Sequence, residues 1–365
     1  MNGTTVLLLV FGLALLVLGA EVLVRGSSRL AADLGVSPLI IGLTVVAFGT
    51  GSPELAVGVR SALEGQTDIA LGNVVGSNIF NILFILGASA AVAPLIVAQQ
   101  LVRLDVPIMI LASGLLYVVA ANGRIGNAES VLLVIGLLLY TVLLWRLSRR
   151  NARSERAQRI ERGDPEPGRS ALRTLVNLGL IAAGLALLGL GSRWLVDSAS
   201  ELAAALGVSQ LVIGLTVVAA GTSLPEAATS IIAGLRGERD IAVGNVVGSN
   251  VFNILGVIGV VGLLSPGGLV VAEAAVNFDI PVMLGVAVAC LPIFFADYLI
   301  KRWQGIAFLC YWAAYTGYVV LLASRHDALP EYSLIMSAFV LPLTLFTVVL
   351  ITVRGARRRA AERRS

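Results

Sequence analysis

Charge is scarce in this chain. Only 13% of residues are charged, against roughly 25% in an ordinary soluble domain. The side chains of redox and transition-metal chemistry are scarcer still. Two cysteines, Cys290 and Cys310, lie in apolar runs with no CxxC or Cys/His spacing, and read as small buried hydrophobes rather than a disulfide or zinc pair. The single histidine, His326, stands in the polar loop "SRHDALPEY", a solvated position. Neither GxxxxGK[ST] nor a Walker B stretch occurs, so nucleotide-driven chemistry is not expected. The net charge of +4 comes from basic residues gathered in loops, which excludes a nucleic-acid surface. No basic stretch precedes the first apolar run, "VLLLVFGLALLVLG", so it reads as a membrane helix and not a cleaved signal.

What is present is apolar length. The chain is 57% hydrophobic with a mean hydropathy of +0.92. Stretches of about 20 apolar residues, enough to cross a hydrocarbon core, recur from end to end. Eleven spans are expected, near 4–30, 38–62, 68–92, 103–121, 126–147, 172–202, 208–234, 240–264, 277–296, 303–323 and 333–353. Between the fifth and sixth, nine arginines fall from 146 to 173, and the tail after the eleventh holds six. Cytoplasmic loops carry the excess of Lys and Arg. The six spans after 171 place linker and tail on the same side, inside, and five spans before it leave "MNGTT" outside. The expected organisation is a first unit at 1–147, a charged linker at 148–171, a second unit at 172–323, and an extra helix with a basic tail at 324–365.

The two units are copies. At an offset of 172, residues 33–82 and 205–254 agree at 32 of 50 positions, and the heptad "GNVVGSN" recurs unchanged at 72–78 and 244–250. An odd number of spans per copy inserts the second upside down. Inverted copies bring matched motifs face to face near the bilayer midplane, where many secondary transporters bind substrate.

Each copy carries a glycine, a threonine, a proline and a glutamate within one span: Gly49, Thr50, Pro53 and Glu54, then Gly221, Thr222, Pro225 and Glu226. Proline removes a backbone donor and glycine weakens the helix. Broken backbone at this depth belongs where it lines an enclosed cavity. Freed carbonyls, a threonine hydroxyl and a carboxylate are hard oxygen ligands suited to Ca2+ and Na+. Ionisable residues deep in spans usually mark an ion pathway. In the next span, Ser77 shares a helical face with Asn81, and Ser249 with Asn253. Gly76 and Gly248 beside them suit close helix packing.

The paired segments "GTGSPE…GNVVGSNIFN" and "GTSLPE…GNVVGSNVFN" resemble the α-repeats of the cation/Ca2+ antiporters, specifically the prokaryotic Na+/Ca2+ exchangers. The resemblance implies an all-α polytopic fold of ten helices in two inverted halves, whose second, third, seventh and eighth helices enclose the ions. It implies Ca2+ bound by Glu54 and Glu226 with oxygens of Thr50 and Thr222. Na+ would use Ser77, Ser223, Ser249 and the carbonyls of Ala47 and Ala219, with Asn81 and Asn253 at the middle of the site. Three features depart from that pattern: Gly51 stands where its repeat partner is Ser223, leaving Ser52 as the nearest substitute hydroxyl; residue 253 is Asn where those exchangers carry Asp; and an eleventh span follows. The expected activity is antiport of Ca2+ against Na+ across the cell (inner) membrane, without enzymatic chemistry or a resident cofactor. Ca2+/H+ or K+-dependent exchange is the nearest alternative, and a passive Ca2+ channel a further one. The expected partners are the two ions and the bilayer; nucleotide and nucleic acid are excluded. Glu21 with Arg25 and Arg193 with Asp197 are expected as structural ion pairs. Asp68, Asp240, Asp105 and Asp279 are expected at helix starts, the last two as caps.

Overall fold

A computed structural model describes residues 3–162, 171–208, 210–213, 216–217, 219–340 and 342. Met1, Asn2, linker residues 163–170 and the basic tail lie outside the described residues. The fold is all-α, in the order α1 (Gly3–Leu34), a bent pair α2 (Pro38–Thr50) and α3 (Ser52–Leu63), then α4 (Thr67–Val92), α5 (Leu101–Ala120) and α6 (Asn127–Arg162). The second half follows as α7 (Ala171–Ala205), α8 (Gln210–Ile213), α9 (Ala219–Gly221), α10 (Leu224–Leu235), α11 (Arg239–Leu264), α12 (Ala275–Phe295) and α13 (Arg302–Ala323). Among the described residues eight helices are individually long and apolar enough to cross a membrane, and the α2–α3 pair, bent by 41°, makes a ninth. The seventh expected span falls on α8 to α10. The eleventh begins within α14 (Leu329–Ile335), runs through a π-type turn at Met336–Val340 and then falls largely outside the described residues.

A pseudo-two-fold axis relates the halves and is visible in side-chain detail. Equivalent helices α1 and α7 run antiparallel, so close that only glycine fits. A Cβ on Gly12 would lie 2.9 Å from the Gly191 carbonyl, and one on Gly191 would lie 2.8 Å from that of Gly12. Gly19 and Gly184, the pair related by the axis, repeat the reciprocal contact at 2.9 Å. Lipid supplies no hydrophobic drive between helices, so small residues that admit backbone contact hold them together. Two short ribbons obey the same axis: Leu95–Ile96 pairs with Leu299–Ile300, and Arg124–Ile125 with Leu269–Val270.

α4 and α11, which carry the duplicated heptads, are the most buried spans and form the centre. Gly248 meets the expectation of close packing, since a Cβ there would lie 2.7 Å from the Leu43 carbonyl, whereas no described atom lies within 4 Å of the Gly76 position.

The symmetry fails among the outer helices. α1 packs along α10, but its counterpart α7 makes no comparable contact with α3. At the closed end Arg236 bonds Glu21 twice, at 2.6 and 2.8 Å, and Ser28 donates to Glu238 at 2.6 Å. At the other end the uncovered face of α3 borders a groove of about 510 Å³, running from Ser52 past Ala56 and Val59 to Glu64. The expected pairs Glu21–Arg25 and Arg193–Asp197 both form, at 2.5 and 3.8 Å.

Two expectations need correction. Asp105 and Asp279 stand at helix starts but make no side-chain cap. Asp105 is fully buried and accepts from Tyr140 at 3.1 Å and Gln100 at 3.2 Å, while Asp279 accepts from Tyr315 at 3.0 Å. A carboxylate shut away from water gains more from a phenol on the next long helix than from the exposed first turn of its own. Asp68 and Asp240 do lie in the first turns of their helices.

Candidate cation-binding site

The break in the second span falls at Gly51 (φ −77°, ψ 1°) and that in the seventh at Ser223 (φ −91°, ψ 8°). Pro53 and Pro225 sit in the first turn of the helix that resumes, where a missing N–H costs least. Each proline leaves one carbonyl of the preceding segment without its helical donor. Both are hydrogen-bonded to serines: Gly49 accepts from the Ser52 hydroxyl, and Gly221 accepts from Ser192 at 2.6 Å. Ser52 is exposed and committed to Gly49, so it does not stand in for the hydroxyl missing at 51. The Ala47 carbonyl accepts the Gly51 N–H at 3.0 Å. Ala219 opens α9, on the segment that ends at Ser223.

Glu54 and Glu226 begin the resumed helices and are buried to within 1%. They lie within electrostatic reach of each other. Ser223 donates to Glu54 Oε1 at 2.9 Å and lies 3.0 Å from Ser77 Oγ, itself 3.5 Å from the same carboxylate oxygen. So Ser77, Ser223 and Glu54 come together across the two repeats. The mirror arrangement cannot form at Glu226, because residue 51 has no side chain. A Cβ on Gly51 would lie 3.0 Å from the Phe252 ring, which stacks on Phe48 at 4.6 Å. Both Glu226 oxygens, Glu54 Oε2 and Ser249 Oγ are buried without a hydrogen-bond partner.

The asparagines form a second symmetric layer. Asn81 donates to Asn250 Oδ1 at 2.9 Å and Asn253 to Asn78 Oδ1 at 3.1 Å, which leaves Asn81 Oδ1 and Asn253 Oδ1 buried and unpaired. π-type turns, often found at functional sites, span Asn81–Leu86 and Phe252–Ile258. Thr50 donates to Asn245 Oδ1 at 3.1 Å and Thr222 to Asn73 Oδ1 at 3.3 Å. The heptad asparagines Asn73, Asn78, Asn245 and Asn250 are absent from the site residues expected from the sequence. Their unchanged duplication in an apolar span was the available signal.

Among the described residues no group of three or more His, Cys, Asp or Glu gathers in one place. The centre therefore presents two carboxylates and several neutral oxygens, all hard donors and none soft. Buried polar atoms in native folds are almost always paired. Six unpaired oxygens on one cluster are what a cation with six to eight oxygen ligands requires.

The sodium/calcium exchanger protein family matches this chain over residues 4–146 and 176–321. The chain belongs to that family. The sodium/calcium exchanger MaX1 of Methanosarcina acetivorans is 32% identical over 339 residues, covering 85% of this chain and 96% of that protein. The inner membrane protein YrbG of Escherichia coli (strain K12) is 38% identical over 288 residues, covering 77% and 86%. The sodium-calcium exchanger NCX_Mj, in a crystal soaked with Na+ and Ca2+, superposes with a TM-score of 0.72 at 30% identity over 89% of this chain and 99% of its own. This chain is thus a multi-pass membrane protein of the cation/Ca2+ antiporter superfamily, and MaX1 and NCX_Mj are exchangers by name.

Proposed function

We propose that this chain exchanges Ca2+ for Na+ across the inner membrane by alternating access to one central site. The observation that carries this reading is the pair of fully buried carboxylates, Glu54 and Glu226, with three of their four oxygens unpaired. A bare carboxylate in such surroundings costs several kcal/mol, and a divalent cation removes that cost for both at once. Ca2+ is held by Glu54 and Glu226 with Thr50 and Thr222; Na+ uses Ser77, Ser223, Ser249 and the carbonyls of Ala47 and Ala219; Asn81 and Asn253 supply neutral oxygens between them. The units 1–147 and 172–323 form the two walls, with the N-terminus outside and the C-terminus inside. In that orientation the groove along α3 opens outward, and the Glu21–Arg236 contact closes the cytoplasmic side. Hydroxyls and amide oxygens around the carboxylates favour Na+ as counter-ion, because a proton would need only the carboxylates.

The test is 45Ca2+ uptake into proteoliposomes under separately imposed Na+, K+ and pH gradients. Uptake driven by Na+ alone is the expected result. Uptake driven only by pH would assign H+ as the counter-ion, and uptake that ignores every counter-ion gradient would make the protein a channel.

A further inference from the structure

We propose that the groove side of the molecule carries a second gate latch, an Arg193–Glu64 ion pair, that forms when α7 closes over α3 and replaces the Glu21–Arg236 pair. This rests on the alternating-access reading and adds to it the side chains that hold each gate. The latch seen here joins residues 215 apart in the chain: Arg236, at the end of α10, bonds Glu21 of α1 at 2.6 and 2.8 Å. The offset of 172 carries Glu21 onto Arg193 and Arg236 back onto Glu64. Both charges are reversed, so the counterparts again make one glutamate and one arginine. Arg25, which pairs with Glu21 on α1, becomes Asp197, reversed in the same sense. Independent drift of solvated charges would leave like charges facing as often as unlike ones. Three reversals that together keep the attraction mark the mirrored gate as a matched pair.

In the present state these counterparts are apart and hold local partners. Arg193 lies 3.8 Å from Asp197 and Glu64 lies 2.8 Å from Arg60, each four residues away along its own segment, and all four are exposed. Exposed pairs of this kind contribute little, so either is readily exchanged for a partner on another helix. Glu64 ends the groove that α3 leaves uncovered, the place that corresponds to Arg236 against α1. A hydrogen bond repeats the pattern. Ser28 donates to Glu238 at 2.6 Å, and the counterparts are Ser200 and Gln66. Ser200 Oγ is buried without a partner while Gln66 is exposed. Buried polar atoms are almost always paired, so α7 carries a hydroxyl left unsatisfied for as long as this gate stays open. Breaking one latch is offset by making the other, which keeps the two states close in energy.

The test reads gate exposure with single added cysteines. Ala56 lines the groove and is exposed, and its counterpart Ala228 is half-buried on α10. Ala56→Cys and Ala228→Cys, in separate full-length chains, are labelled with an impermeant maleimide in right-side-out and in inverted membrane vesicles. Na+ and Ca2+ are present, and the unmutated chain gives the background. The rate at 228 divided by the rate at 56 measures the balance of the two gates. Glu64→Arg and Arg193→Glu should each lower that ratio about fivefold, as an exposed attraction turned into a repulsion requires, and the two together should restore it. Glu21→Arg should raise it. A ratio unmoved by the changes at 64 and 193, or lowered further by the double variant than by either single one, would overturn the latch. If the ratio also ignores the removal of Na+ and Ca2+, alternating access falls with it. A ratio that responds to the ions but not to residues 64 and 193 overturns the latch alone.

Discussion

Residues 51 and 223 occupy equivalent places and do different things. Ser223 gives Glu54 a hydroxyl from the opposite repeat, whereas Gly51 leaves Glu226 without one and makes room for the Phe252 ring. A hydrogen bond to a charged group contributes about 1.5–3 kcal/mol. Ser223→Ala should therefore weaken Na+ binding at least about tenfold, read as Na+ competition against 45Ca2+ binding, with little change in thermal midpoint. An unchanged affinity would remove Ser223 from the site. Sequence alone placed both glutamates at the centre, because an apolar span keeps a carboxylate at depth only where its charge has a use. It did not reveal that Ser52 turns back onto Gly49, since a hydroxyl one residue from a break can serve either the backbone or the cavity. Nor did it single out Asn245 and Asn73, whose partners Thr50 and Thr222 lie in the other repeat.

Among the elements, α5 and α12 are fixed by tyrosines from the helices that follow them. Asp105 is wholly buried and Asp279 only partly so. Tyr140→Phe should then cost about 1–3 kcal/mol, the penalty for a buried acceptor left unpaired, and Tyr315→Phe distinctly less. Thermal unfolding in detergent compares the two; equal shifts would mean that the carboxylates are not what the phenols hold. These pairs are 35 and 36 residues apart, with no period to link them, and so look like helix caps in the sequence. The α1–α7 seam leaves a clearer trace. Gly12, Gly19 and Gly26 recur every seven residues, and Gly184 and Gly191 repeat that spacing, which holds glycine on one face of a helix. Among the described residues most span starts were legible because lipid demands uniform apolar length; the side-on order of the helices was not, because nothing local in the chain encodes it.

At the scale of the whole molecule, two inverted copies build a centre that is symmetric in its asparagine layer and asymmetric at its two carboxylates, inside an asymmetric shell. The centre keeps its axis through the asparagine layer, while α1 closes on α10 and α7 leaves α3 uncovered. A transporter with one site and two exits needs a site reachable from both sides and gates that are never equivalent at the same moment. The inverted duplication was legible from the odd number of spans per copy. The contacts along α1 and α10 join Glu21 to Arg236 and Ser28 to Glu238; the repeat pattern marks Glu21, whose counterpart is Arg193, but does not pair it with Arg236. All of this depends on Glu54 and Glu226 holding the ion. The most direct measurement is 45Ca2+ binding and exchange by purified Glu54→Gln and Glu226→Gln, each glutamine preserving shape and removing one charge. The expected result is protein that inserts and purifies normally, binds Ca2+ at least about a hundredfold more weakly, as loss of one of two compensating charges in a dry site requires, and exchanges none. Wild-type Ca2+ affinity in both variants would contradict it.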